Sequence, residues 1–110
     1  LNKTFLIFTT KNKTMNQEII SAIENQNVIE LHYEGELRVV EPHCYGVTTA
    51  GNEGLRAYQT GGYSSSGKMG WRMYDLGKAD SITITNEEFA GPRPDYKSGD
   101  KGMSSIYAEL

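Results

Sequence analysis

The chain has 110 residues, a formal charge of −3 and a single cysteine. That length makes one domain able to bury only about 65% of its unfolded surface, too little for a deep multi-lobed catalytic cleft. The acidic balance excludes a protein that coats nucleic acid through bulk electrostatics, and one cysteine excludes an internal disulfide or a cysteine-built zinc site. A modest 37% of hydrophobic residues, with 12 glycines, points to a small turn-rich β domain.

Residues 1 to 14, LNKTFLIFTTKNKT, differ abruptly in composition from the chain beyond Met15. They read as an extension outside the core, with the single domain over 15 to 110. Their apolar run FLIF is too short for a signal-peptide core or a membrane span, so the chain reads as cytoplasmic and off the membrane. Met15 to Gln26 is predicted to be a short amphipathic helix with Ile19, Ile20 and Ile23 on one face. Thr14 and Gln17 match a capping box. A helix this short must pack its apolar face on something, most simply the open end of a barrel.

From Val28 the period changes to two. Ile29, Leu31 and Tyr33 alternate with Glu30, His32 and Glu34, the pattern of a half-buried strand. Glu34-Gly35-Glu36 is a tight turn and Leu37 to Glu41 the return strand, which Pro42 should stop because it has no N–H to donate. His43 to Thr48 resumes extended structure, and Ala50 to Gly54 turns the chain. Leu55 to Gln59 and Trp71 to Leu76 form a hairpin around a polar Gly/Ser-rich loop. Ile82 to Thr85 is a further strand, Phe89 plugs the core, and Gly91-Pro92-Arg93-Pro94 breaks regular structure. Met103, Ile106, Tyr107 and Leu110, spaced i, i+3, i+4 and i+7, suggest a short closing helix, with a plain tail as the alternative. Five strands broken every ten residues or so make a small closed barrel the economical architecture, with a two-layer α+β sheet as the fallback.

Charge is unevenly spread. Gly54 to Lys78 carries a net +3 and the rest −6, a basic patch that suits one bound anionic group better than a long phosphate backbone. Gly62 to Met69 matches seven places of the phosphate-loop pattern G-x-x-x-x-G-K-[ST], but Met69 has no hydroxyl for magnesium and a strand follows where a helix is needed, so a mobile hairpin loop is the better reading. His32 and His43 lack the partners of a metal or acid/base cluster, and Cys44 beside His43 points to the opposite side of a strand, so no catalytic residue, metal or cofactor is assigned. Arg38, Arg56 and Arg72 remain, able to clamp an anion bidentately beside stacking aromatics. Arg56 shares a face with Tyr58, and Arg72 with Tyr74.

Ile29-x-Leu31-x-Tyr33, Gly35, Arg38-Val39-Val40-x-Pro42, Gly51, Leu55-x-Ala57-Tyr58 and Trp71-Arg72-Met73-Tyr74-x-Leu76, closing with Ile82 and Phe89, together resemble the WYL domain from Met15 to about Phe89. The tripeptide that names that family falls at Glu53-Gly54-Leu55, and Asp75 stands where an arginine is usual; Arg38 and Arg72 lie at matching positions. The resemblance implies a five-stranded Sm-like (Src-homology-3-like) barrel. It also implies a ligand-sensing role in bacterial transcription regulation or phage defence, through a basic surface that takes nucleic acid or a nucleotide-like effector. With no room for a helix-turn-helix, the chain reads as a stand-alone module.

The expectation is therefore a non-enzymatic regulatory module that binds an anionic ligand, a nucleotide or single-stranded nucleic acid. Arg38, Arg56 and Arg72 would hold its charge, Tyr58 would stack, Gln59 would choose a hydrogen-bonding edge and His43 would add a contact. The alternatives are an adaptor that docks a protein partner through the 60 to 70 loop, and last a small enzyme; a homodimer is allowed.

Overall fold

The computed structural model describes residues 14–110. The segment read as an extension thus lies outside the described residues, except for Thr14, which caps the first helix. Helix α1 (Met15–Asn25) opens with the expected capping box. The Gln17 N–H donates to Thr14 Oγ1 at 3.4 Å, and the Thr14 N–H donates to Gln17 Oε1 at 3.1 Å. It ends at Gln26, whose left-handed backbone (φ 55°) turns its N–H back onto the last carbonyls. Ile19, Ala22 and Ile23 are its buried stripe.

Strand β1 (Asn27–Tyr33) pairs antiparallel with β2 (Glu36–Thr48) across a two-residue turn, Glu34 and Gly35, both at positive φ. That backbone is the one that matches the right-handed twist of a hairpin. Strands β3 (Glu53–Gly62) and β4 (Gly70–Asp75) form the second hairpin. A 3₁₀ turn, Leu76–Lys78, is capped by Asp75 and leads into β5 (Ala79–Glu88). The last strand is β6 (Met103–Glu109).

The closing segment is a strand, not a helix, because β2 offers it an edge. Cys44 to Thr48 pair with β6, whereas Glu36 to Val40 pair with β1 on that side. Pro42 does not end its strand. It sits where the neighbour changes, next to a register shift between Pro42 and Cys44, so its missing N–H falls at a break in the ladder.

The sheet runs β5-β1-β2-β3-β4 with β6 beside β2, and it does not close. The edge strands β4 and β5 are joined by three residues, so the sheet rolls until they meet at one corner, but they do not pair along their length. The expected closed barrel is therefore an open, rolled antiparallel sheet. Its inner face carries Ile29, Leu31, Val40, Tyr45, Leu55, Ala57, Tyr74 and Ile82 against the helix stripe in one core cluster. Phe89 is buried as expected; its N–H donates to the Gln26 carbonyl at 2.9 Å, and the Gln26 amide donates back to the Phe89 carbonyl at 3.0 Å. No helix among the described residues is long and apolar enough to cross a membrane.

Candidate anion-binding pocket

The first arginine follows from the β1–β2 turn. Counting back from it pairs Leu31 with Arg38, and Leu31 is wholly buried, so Arg38 enters the inner face. On the other side it faces Gly62 of β3, where a Cβ would press on the Leu37 carbonyl and the Arg38 Cα. The second arginine follows from the β3–β4 register. Arg72 lies opposite Ala57, and Tyr74 opposite Leu55, so both share the inner face. Arg38 and Arg72 line one pocket of about 370 Å³ with Lys68, Ser64, Ser65 and Ser66, over Tyr33 and Tyr74. The rings of Tyr33 and Tyr74 meet edge to face at 5.0 Å beneath them. Burial pushes the Tyr74 phenol up to about 12, against the opposing pull of the nearby Arg38 and Arg72 cations.

Arg38 is only 9% exposed and its Nε has no hydrogen-bond partner among the described residues. Its guanidinium instead lies against the rings of Tyr33, 5.3 Å from the centroid, and Tyr63, 5.0 Å. Arg72 braces the loop. Its guanidinium donates to the Trp71 carbonyl (2.8 Å), the Lys68 carbonyl (2.5 Å) and the Ser64 hydroxyl (3.3 Å). The loop from Tyr63 to Met69 is further tied by the Tyr63 N–H to the Leu37 carbonyl and the Gly67 N–H to the Ser64 carbonyl, and β4, not a helix, follows it. A phosphate loop of the nucleotidase kind needs the helix.

Arg56 does not join this pocket. Period two puts it on the other face of β3, where its Nε donates to Asp100 Oδ2 at 2.7 Å and its Nη2 to Oδ1 at 3.3 Å. Those hydrogen bonds hold the Asp100 carboxyl below its usual range. Arg56 lines a separate hollow with Trp71 and Tyr96. Lys78 stands apart as well, 4.0 Å from Glu34 in an exposed pair. Of the three guanidinium groups expected to converge, two do.

Tyr58 is on the same outer face as Arg56. Its ring is covered by Arg93, 4.3 Å from the centroid, and Arg93 is itself held by both oxygens of Glu41 at 2.8 and 3.0 Å. Gln59 is wholly buried, with its amide donating to the carbonyls of Gly61 (2.9 Å) and Tyr63 (2.7 Å) and its oxygen accepting from the Tyr74 hydroxyl (3.4 Å). It positions the loop and has no edge left to offer a ligand.

His43 is wholly buried among Trp71, Phe89 and Tyr96. Its Nδ1–H donates to the Glu41 carbonyl at 2.8 Å and its Nε2 accepts the Arg93 N–H at 3.1 Å. That is a neutral ring with both nitrogens committed, and burial lowers its pKa from 6.5. A lowered folded-state value gives stability that is present above pH 6.5 and lost as pH falls below it, since the unfolded chain takes up the proton first. Melting temperature should therefore drop between about pH 7 and pH 5.5, and drop less in His43→Gln. An unchanged melting temperature across that window would show that the ring is not held neutral.

The residues missed from sequence are Tyr33, Tyr63, Lys68 and the three serines. The β1–β2 turn could have found Tyr33, because it sets Tyr33 opposite Glu36 and Leu31 opposite Arg38. Among the described residues no group of three or more His, Cys, Asp or Glu is placed to hold a metal ion. His32 is exposed on β1 and His43 is buried, so the two do not pair.

Comparison with protein-family models, curated proteins and solved structures finds no match to this chain.

Proposed function

We propose that the chain is a non-enzymatic ligand-binding module whose inner-face pocket takes a phosphate-bearing effector of the nucleotide or nucleic-acid kind, in a regulatory role. The observation that carries this reading is the convergence of Arg38, Arg72 and Lys68 on one hollow that no carboxylate lines among the described residues, with a buried Arg38 Nε left unpartnered. Guanidinium pairs favour planar, bidentate contacts to phosphate or carboxylate oxygens. Binding is preferred to catalysis because the His43 nitrogens are both occupied and burial pushes the Cys44 thiol up to about 11, out of nucleophile range. The likeness of Arg38, Pro42, Tyr58, Trp71 and Arg72 to the WYL pattern supports a place in transcription regulation or phage defence.

The test is a titration of mononucleotides and short single-stranded oligonucleotides against the wild type, Arg38→Ala, Arg72→Ala and Arg56→Ala. Each of the first two substitutions should weaken binding by about 10- to 100-fold, the worth of a charge-assisted hydrogen bond. Arg56→Ala should leave affinity unchanged, because its partner is Asp100. Affinity should fall as salt rises. Equal losses in all three variants would contradict the pocket.

The adaptor reading keeps one observation of its own. Tyr63 and Met69, at the two ends of the loop, are 46% and 40% exposed. Co-purification of a protein partner that Tyr63→Ser and Met69→Ser abolish, with no nucleotide binding, would favour it.

A further inference from the structure

We infer that the Arg38–Arg72 pocket is built for the terminal phosphates of a nucleoside di- or triphosphate, gripped without any reading of the base. This rests on the same hollow being an anion site and goes on to say which anion.

Charge density is the first argument. Arg38, Lys68 and Arg72 set three formal positive charges around one hollow with no lining carboxylate among the described residues. A phosphodiester chain offers one charge per phosphate, spread along a strand. A single terminal phosphate already carries about −1.5 to −2 at pH 7, and a di- or triphosphate adds to it within the same small space. The hollow, of about 370 Å³, lies near the lower end of ligand pockets and suits a phosphate chain better than an entire nucleotide.

Donor chemistry is the second. The lining presents the Lys68 ammonium, the Ser65 hydroxyl, the Arg38 guanidinium and those Arg72 N–H groups not spent on the Trp71, Lys68 and Ser64 oxygens. Ser64 and Ser66 hydrogen-bond one another at 3.1 Å, which leaves one hydroxyl proton between them. The lining presents no side-chain amide. The one amide close by, Gln59, spends its donors on the Gly61 and Tyr63 carbonyls and its oxygen on the Tyr74 hydroxyl. Bases are told apart by matched donor and acceptor edges, and without an amide the lining has no fixed donor–acceptor pair of that kind, while its cationic donors suit phosphate oxygens. Phosphate oxygens only accept, so they are what it fits. The setting of Arg38 agrees. Its guanidinium lies against the Tyr33 and Tyr63 rings, and its buried Nε has no hydrogen-bond partner among the described residues, so its charge is not neutralised by a protein acceptor at that nitrogen. Tyr63, 46% exposed and 5.0 Å from the Arg38 guanidinium, is left to stack whichever base lies outside.

The experiment is calorimetric titration at fixed moderate salt, in EDTA so that free anions are compared. The probes are inorganic pyrophosphate, tripolyphosphate, ATP, GTP, CTP, UTP and a short oligothymidylate blocked at both ends. Tripolyphosphate should bind and should displace ATP. The four triphosphates should agree within about threefold, because stacking tolerates every base. The blocked oligothymidylate should bind at least about tenfold more weakly than ATP, since it presents single charges. Lys68→Ala, an exposed substitution, should weaken pyrophosphate about tenfold without moving the melting temperature. Arg38→Lys keeps the charge and loses the fork, so it should weaken all phosphates together. Oligothymidylate binding tighter than tripolyphosphate, or a base preference beyond about tenfold, overturns this inference and leaves the anion site standing. No binding by any probe overturns both.

Discussion

Gly46→Ala should lower the melting temperature by about 15 °C, from a loss of about 3 kcal/mol. Gly46 is where β2 and β6 come closest. A Cβ there would be driven into the Ser105 carbonyl and would lie 2.9 Å from the Ile106 Cα. Both are backbone atoms, so no rotamer change relieves the clash and β6 must move off β2. That movement would uncover Tyr45, which is wholly buried and packs its ring against Tyr107 at 5.2 Å. Gly77→Ala is the matched control, with only the Asp75 carboxylate oxygen at 3.3 Å, and should shift the melting temperature by less than about 3 °C. A Gly46→Ala protein that melts with the wild type would mean that β6 does not pack against β2 at this point.

Gln59→Leu should damage stability and binding together. The substitution fills a similar volume but leaves the Gly61 and Tyr63 carbonyls and the Tyr74 hydroxyl without their partner. Orphaned buried polar groups cost about 1–3 kcal/mol each, and relaxation of the loop toward water should limit the total to about 3 kcal/mol. Tyr63 and Ser64 would lose their anchor, so phosphate affinity should fall by about tenfold at a temperature where circular dichroism shows the variant folded. A Gln59→Leu protein with lowered stability but full affinity would show that the loop is positioned by Arg72 alone.

Local rules make the first half of the fold legible. The alternation of Ile29, Leu31 and Tyr33, the Glu34-Gly35 turn and the Thr14–Gln17 box each involve residues a few positions apart, and each is found as expected. The same rules put Arg72 and Tyr74 on one face. The last strand is not legible in this way, because the spacing of Met103, Ile106, Tyr107 and Leu110 is that of a helix, with no period-two alternation to mark a strand. The free edge of β2 that decides between them, Cys44 to Thr48, lies far back in the chain. Arg56 misleads for the same reason. Its partner Asp100 is 44 residues away in an irregular stretch, and Arg93 reaches Glu41 across 52. Such pairs leave no periodic trace. Gln59 reads from sequence as a ligand contact, because its commitment to the loop depends on where Gly61 and Tyr63 turn their carbonyls.

The division of β2 between two neighbours bears on how the molecule is made. Its first half finds β1 across a two-residue turn almost as soon as both have left the ribosome, while its second half waits for Met103–Glu109 to be synthesised. During that interval Cys44 to Thr48 offer an unpaired edge to any other extended chain. Translation speed through the last third, or a chaperone holding the nascent chain, should therefore govern how much of this protein reaches its native state.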